Sequence, residues 1–211
     1  MKILAIDSTH TLCSAAFFDG RNTVSEIVEE REHGQAERLI PMILEVLKKA
    51  NAGFQDIDAV AVTTGPGSFT GVRVGLAAAD GIALAAGLPM IGVSLLDVLA
   101  WKIYKNNPDI KKLCLVLETK RDDFYVQSFD AGKPLMPPCV LSAEKISQMK
   151  DCVFAGNAVD RLIEETGGAN KINVSMPSAG EIAEFSSQKT PRSEYPEPLY
   201  LRDAEVTLCR K

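Results

Sequence analysis

The chain has 211 residues, 46% of them hydrophobic, so it can bury one large core or two smaller ones. Its formal net charge of −5 argues against a protein that binds nucleic acid through a strong positive field of its own. The five cysteines are an odd number without a close pair, and no signal peptide opens the sequence, so we expect a reduced, cytoplasmic protein.

Residues suited to binding a metal ion are few and dispersed. His10 and His33 are too far apart for an i, i+4 pair on one helix, and no cysteine cluster replaces them. Three of the cysteines lie in apolar runs, where a small buried side chain is the expected role: Cys13, Cys114 and Cys152. The apolar stretch over residues 74–100 is repeatedly interrupted, so we predict neither a metal site nor a membrane span.

Three segments at the start of the chain have the pattern of strands: residues 2–6, 13–18 and 23–30. A hairpin turn joins the second to the third, which predicts an antiparallel meander. Asp7 ends the first strand and allows two interpretations. In phosphotransferases built on such a meander, an acid here faces the metal and phosphates, whereas in most proteins it is a turn residue.

An amphipathic helix is predicted over residues 35–50. Its apolar side includes Leu39, Met42, Ile43 and Val46, and its charged residues lie largely opposite. Pro41 falls inside this pattern, where it should kink or restart the helix.

A glycine-rich turn follows a predicted strand at residues 59–62 and precedes a predicted helix at residues 72–86. Ser68 or Thr70 can cap that helix, and its free amides, together with Gly67, could receive a carboxylate or phosphate. Arg73 in the first turn opposes the helix dipole, which an anion would compensate. The alternatives are an arginine that points into water or pairs with an internal acid.

The same helix carries a stripe of mostly small side chains that lets another backbone approach closely. We predict that this stripe packs against a neighbouring helix, in the same chain or in another. Its members are Val72, Gly75, Ala78, Ala79, Ile82 and Ala86.

The clearest break in the chain is at residues 106–109, where two asparagines precede a proline and an aspartate. We place a boundary there, between an N-terminal lobe at residues 1–105 and a C-terminal lobe with an extended tail at residues 106–211. Strands are predicted at residues 112–118, 124–129 and 152–155, and helices at residues 142–149, 157–166 and 178–185. Both halves combine strands with later helices, which predicts an α/β fold of two related lobes.

Four segments together resemble the TsaB family, formerly called YeaZ. They are residues 3–8 (ILAIDS), 36–41 (AERLIP), 65–73 (GPGSFTGVR) and 199–202 (LYLR), and the resemblance runs nearly end to end. It implies an actin-like, acetate-kinase-like two-lobed fold of the ribonuclease-H type. It also implies a role in making N6-threonylcarbamoyladenosine on the tRNA adenosine next to the anticodon.

The resemblance further implies a non-catalytic subunit. In this family TsaB pairs with its relative TsaD, which transfers the threonylcarbamoyl group, and the ATPase TsaE joins them. ATP or ADP and a metal ion are then expected in the partners, and tRNA contacts the chain only through the complex. The implied pairing surface lies on the helices at residues 35–50 and 72–86. One departure is the charged turn at residues 119–123, where the family pattern differs.

Two other functions remain open. Older naming groups such proteins with metal-dependent glycoproteases, so an enzyme like the M22 peptidases, or one that hydrolyses nucleotide, is the alternative. The scarcity of histidines counts against a catalytic triad. A homodimer formed through the small-residue face is the third possibility.

Overall fold

The computed structural model describes residues 1–202, which form two five-stranded sheets with helices on their faces. The strands are β1 (Ile3–Asp7), β2 (Leu12–Phe18), β3 (Thr23–Glu30), β4 (Ala59–Gly65), β5 (Met90–Ser94), β6 (Lys112–Glu118), β7 (Asp123–Asp130), β8 (Lys133–Pro134), β9 (Cys139–Ser142) and β10 (Val153–Ala155). The helices are α1 (Gln35–Lys49), α2 (Phe69–Ala86), α3 (Leu95–Asn106), α4 (Ala143–Ser147), α5 (Val159–Thr166) and α6 (Ala179–Ser186).

The first sheet has the strand order β3-β2-β1-β4-β5. Its first three strands form the predicted antiparallel meander, and β4 and β5 then add in parallel, with Ile6 opposite Val62. The second sheet has a similar arrangement, with the strand order β10-β6-β7-β8 and with β9 also paired to β7. There the hairpin β6-β7 is antiparallel and β10 joins β6 in parallel. The hairpin is therefore kept despite the unusual turn at residues 119–123.

Each sheet is covered on both faces. Helices α1 and α2 pack on one face of the first sheet, and α6 packs on the other. Helix α3 packs its leucines on one face of the second sheet, while α4 and α5 cover the other face. Val98 and Trp101 turn toward α6, so α3 also contributes to the core beneath the first sheet.

The last helix corrects the predicted lobe boundaries. Although α6 lies far beyond residue 106, it packs on the first sheet, where Ala179 N–H donates to Ser14 Oγ at 3.1 Å. The chain then continues along β5, since Met90 and Arg192 exchange two backbone hydrogen bonds of 2.8 Å. Residues 178–200 thus return to the N-terminal lobe, and a single cut at residue 106 does not separate the two cores.

Two local predictions also change. Helix α1 runs from Gln35 to Lys49 without a restart, although it contains the exposed Pro41. Cys13 and Cys114 are buried as predicted, but Cys152 is only partly buried at the edge of its cluster. Cys209 lies outside the described residues.

Candidate partner-binding groove and the glycine turn beside it

The glycine-rich turn between β4 and α2 is hydrogen-bonded to the turn between β1 and β2. Ser68 N–H donates to the carbonyl oxygen of Thr9 at 2.7 Å, and Ser8 Oγ donates to the carbonyl oxygen of Gly71 at 2.8 Å. A Cβ at Gly71 would overlap the Ser8 carbonyl oxygen, so glycine is needed for this close approach. Ser68 caps α2, because its Oγ accepts from Gly71 N–H at 3.3 Å.

Asp7 is buried and bonds to groups of the chain itself. Its Oδ1 accepts from the Thr9 amide at 3.1 Å and from the Thr9 hydroxyl at 2.7 Å. The Thr63 hydroxyl on β4 donates to the same oxygen. These bonds match the interpretation of Asp7 as a turn residue that also ties the turn to β4. Ligand contact by Asp7, Gly67, Ser68 or Thr70 stays a prediction.

His10, which the sequence analysis considered only as a metal ligand, lies beside Asp7. Burial lowers the pKa of its imidazole, while the Asp7 carboxylate and the Pro66 carbonyl act in the opposite direction. Its Nε2 is buried without a hydrogen-bond partner. The imidazole is therefore held neutral next to the start of α2.

Arg73 is exposed to water, as one interpretation had it, and it also stacks on aromatic rings, which the sequence analysis did not foresee. Its contact with an anion stays a prediction. Its guanidinium carbon lies 3.2 Å from the centre of the Phe69 ring and 5.1 Å from that of Tyr200, and the two rings are 5.7 Å apart. Leu199 N–H donates to the Thr64 carbonyl oxygen at 2.8 Å. The C-terminal segment is thus anchored on the N-terminal lobe through the start of α2.

An apolar groove of about 780 Å³ lies between the outer sides of α1 and α2. Ile40 on its rim is 44% exposed. The groove is lined almost entirely by small or aliphatic side chains, which are Ala36, Leu39, Ile40, Val74, Ala77, Ala78, Gly81, Ile82, Ala85 and Ala86, with Phe54 and Gln55 at one end. Such a continuous apolar surface is typical of a protein-protein contact.

The predicted interface residues divide between this groove and the core. Three members of the small-residue stripe line the groove, namely Ala78, Ile82 and Ala86. Six others are buried against the first sheet and cannot contact a partner, which corrects that part of the prediction: Met42, Ile43, Val46, Val72, Gly75 and Ala79. Leu39 reaches the floor of the groove, and the other six hold α1 and α2 to the sheet.

The composition of α2 explains why the sequence did not separate its groove residues from its core residues. By length and composition alone, α2 is the single helix within residues 1–202 that could cross a membrane, and a third of it is buried inside the protein. Helices apolar all round are normally covered on all sides. The sheet covers the inner side of α2, and the groove leaves the outer side open.

Within residues 1–202, no group of three His, Cys, Asp or Glu side chains is placed to hold a metal ion.

Comparison with known proteins places the chain in a family. The family model for tRNA N6-adenosine threonylcarbamoyltransferase, TsaD, matches residues 24–205. The Escherichia coli K12 protein named tRNA threonylcarbamoyladenosine biosynthesis protein TsaB is 33% identical, over 96% of this chain and 95% of the relative. The chain belongs to the TsaB family. The chain is also similar to the tRNA N6-adenosine threonylcarbamoyltransferase of Thermodesulfovibrio yellowstonii. The two are 27% identical, over 88% of this chain and 62% of the transferase.

The solved structures agree with the TsaB assignment. YeaZ from Pseudomonas aeruginosa superposes with a TM-score of 0.79 and 26% identity, over 95% of this chain and 99% of that one. The activator of 2-hydroxyisocaproyl-CoA dehydratase from Clostridium difficile shares the fold alone, with a TM-score of 0.51 at 12% identity over 89% of this chain and 96% of that one. The fold is the two-lobed, actin-like one that the resemblance implied.

Proposed function

We propose that this chain is a non-catalytic subunit in the synthesis of threonylcarbamoyladenosine in tRNA. It pairs with a TsaD-like protein through the groove between α1 and α2, and a TsaE-like protein joins the pair. The names of its relatives support the pathway, since they are biosynthesis proteins for this nucleoside or transferases that make it. The groove is the single observation that carries the scaffold role.

The groove suits a helix of a related partner. Small side chains such as Ala77, Ala78 and Gly81 let a second backbone approach closely, and Ile40 offers an apolar anchor at the rim. Covering the groove removes apolar surface from water on both proteins, the main favourable term in association. Because TsaD-like and TsaB-like chains share this fold family, the partner can offer a matching pair of helices.

The proposal places the chemistry in the partners. The Asp7 carboxylate accepts hydrogen bonds from Thr9 and Thr63, and the turn around it is packed on the start of α2, which supports a structural role for this region. ATP or ADP and the metal ion are then held by the TsaD-like and TsaE-like subunits. With its net negative charge, the chain meets tRNA in the cytoplasm only through the complex.

Without a partner, the groove is expected to close on a second copy of the chain. The same apolar surface then serves both pairings, so the homodimer and the complex compete. Adding the TsaD-like protein should convert the homodimer into a mixed complex, which mass measurement by light scattering would detect.

Co-purification with the TsaD-like protein of the same organism tests the proposal. Ala77→Arg places a long charge at an exposed position that lines the groove and lies outside the core, and it should abolish a stable one-to-one complex while circular dichroism and melting stay unchanged. Gln148→Arg adds the same charge at the exposed end of α4 in the other lobe, and it should leave the complex intact.

Two results would contradict the proposal. One is a complex that forms equally well with Ala77→Arg, which would move the interface elsewhere. The other is failure of the wild-type chain to associate at all. In that case, release of phosphate from ATP or cleavage of peptides by the isolated chain would support the enzymatic alternative.

A further inference from the structure

The two lobes share a non-covalent connection in addition to the two places where the chain crosses between them. The crossings are α3, which contributes to the cores of both lobes, and the stretch from residue 176 into α6. The additional connection is the segment at residues 196–202, which follows α6 and contacts both lobes. The proposed function does not use these contacts.

The first part of this segment is fixed on the first lobe. Pro196 packs directly on β5, where a Cβ built on Gly92 would lie only 2.4 Å from the proline Cβ. Leu199 N–H donates to the Thr64 carbonyl oxygen of β4 at 2.8 Å, and the Tyr200 ring stacks at the start of α2. Contacts with three different elements therefore hold the segment in place as far as Tyr200.

The end of the segment meets the second lobe at the charged turn between β6 and β7. The Arg202 guanidinium forms an ion pair with the Asp123 carboxylate, and the two side chains are 26% and 28% exposed. The same carboxylate accepts from the Thr119 hydroxyl at 2.9 Å, and Arg161 of α5 donates to the Asp123 carbonyl oxygen at 2.7 Å. The acid is thus held in position for Arg202, and partial burial of the pair reduces its screening by salt.

We propose that residues 196–202 are a clasp that fixes the angle between the two lobes. Lobes with separate cores are expected to move relative to each other unless contacts restrain them. One end of the clasp is held by β4, β5 and α2 of the first lobe, and the pair between Arg202 and Asp123 holds the other end to the second lobe. When this pair opens, only the two chain crossings restrain the second lobe, which then samples a wider range of angles.

The clasp gives a role to the charged turn at residues 119–123, which departs from the family pattern. Its last residue, Asp123, is the acid that receives Arg202. Because the other end of the clasp stacks on Phe69 and Arg73 of α2, the turn is also connected to the start of a groove helix.

Distance measurements between spin labels on the two lobes of the full chain test this proposal. The labels are attached at Lys49→Cys, at the exposed end of α1, and at Lys145→Cys, on the exposed side of α4. All natural cysteines except the buried Cys13 and Cys114 are changed to serine in this chain. Double electron-electron resonance then gives the distribution of distances between the labels, which should be narrow while the clasp is closed.

Arg202→Gln and Asp123→Asn each remove one side of the ion pair, and each should broaden the distance distribution. Exchange of the amides at residues 119–123 should rise by about two- to fivefold in Arg202→Gln, as expected for the loss of one partly exposed ion pair. Combining the two substitutions should broaden the distribution no further than the stronger single one, because both remove the same contact. Arg202→Lys keeps the charge and should retain most of the narrow distribution.

Arg192→Gln is the matched control. It removes the same charge from an exposed residue whose backbone is paired with Met90 on the first lobe, and it should leave both measurements unchanged. The proposal fails if Arg202→Gln gives the distribution of the unsubstituted chain, or if Arg192→Gln broadens it equally. It also fails if the double variant broadens it by the sum of the single effects. These measurements use the chain alone, so a failure of the pairing with a TsaD-like protein would not affect them.

Discussion

Helices α2 and α5 each pack on a face of one sheet, yet their outer sides differ in kind. Helix α5 exposes Asp160, Glu164 and Glu165 to water. Helix α2 exposes Arg73 and Asp80, but otherwise mostly alanines, Gly81 and Leu84, which is 82% exposed. A charged outer side leaves a helix well solvated, whereas an apolar one leaves surface that a partner can cover. The difference is the reason why we propose the docking surface on the first lobe.

The largest expected effect tests whether the inner sides of the two helices are equivalent. Leu76→Ala on α2 and Leu162→Ala on α5 each remove a leucine that is 1% exposed, and each should lower the free energy of unfolding by about 2–5 kcal/mol. Leu84→Ala, on the outer side of α2, should change it by less than about 0.5 kcal/mol. Urea unfolding measures all three. An equal loss for Leu84 and Leu76 would show that the outer side of α2 is already buried.

Two glycines of α2 should respond in opposite directions. At Gly71 a Cβ meets the Ser8 carbonyl oxygen, so Gly71→Ala should destabilise the fold by about 1–3 kcal/mol. At Gly81 nothing lies within 4 Å, and Gly81→Ala should stabilise the helix by up to about 1 kcal/mol. Thermal unfolding separates the two. Destabilisation by Gly81→Ala would mean that the groove is occupied within the chain itself.

The two helices also differ in how an arginine is held. Arg73 on α2 stacks on Phe69 and Tyr200, whereas Arg161 on α5 lies over Phe124 and also 3.3 Å from a Glu118 oxygen. Arg73→Gln should lower stability by about 0.5–1 kcal/mol and increase chymotrypsin cleavage at Tyr200. The effect of Arg161→Gln should shrink more when salt is raised, because its ion pair is screened. Equal salt dependence of the two variants would contradict this distinction.

The smallest effect concerns pH. His10, beside the start of α2, has a folded-state pKa below its ordinary value of 6.5, so the unfolded chain binds more protons. Stability from this group is therefore complete above pH 6.5 and is lost as the pH falls below it. The urea midpoint should be lower at pH 5.5 than at pH 7.5, and His10→Gln should reduce that difference. A midpoint that rises on acidification in wild type but not in His10→Gln would reverse the assigned sign.

Much of the fold follows from local patterns. The alternation of apolar and charged residues predicts α1 to within a residue of its observed end, and short apolar runs predict β1 and β2. The return of α6 to the first sheet could not be predicted in the same way. Its position depends on contacts with Ser14 and Glu26, more than 150 residues earlier in the chain.

The interface residues on α2 could be predicted only in part, because local pattern does not show which side of the helix faces the sheet. The stripe on α2 was predicted to pack against a helix, whereas Val72, Gly75 and Ala79 pack on the first sheet and the turn after β1, because a helix with small side chains on most sides does not reveal which side faces the sheet. Ala79 and Ala78 are adjacent and chemically identical, yet one is buried and the other lines the groove. The stacking of Arg73 on Tyr200 brings together residues from opposite ends of the chain, which no local pattern reports.

Hydrogen-deuterium exchange, measured with and without the TsaD-like protein, tests the central claim most directly. The account predicts slower exchange of amides in α1 and α2 when the partner is added, with α5 unchanged. Protection of α5 in a complex that leaves α1 and α2 unaffected would contradict it.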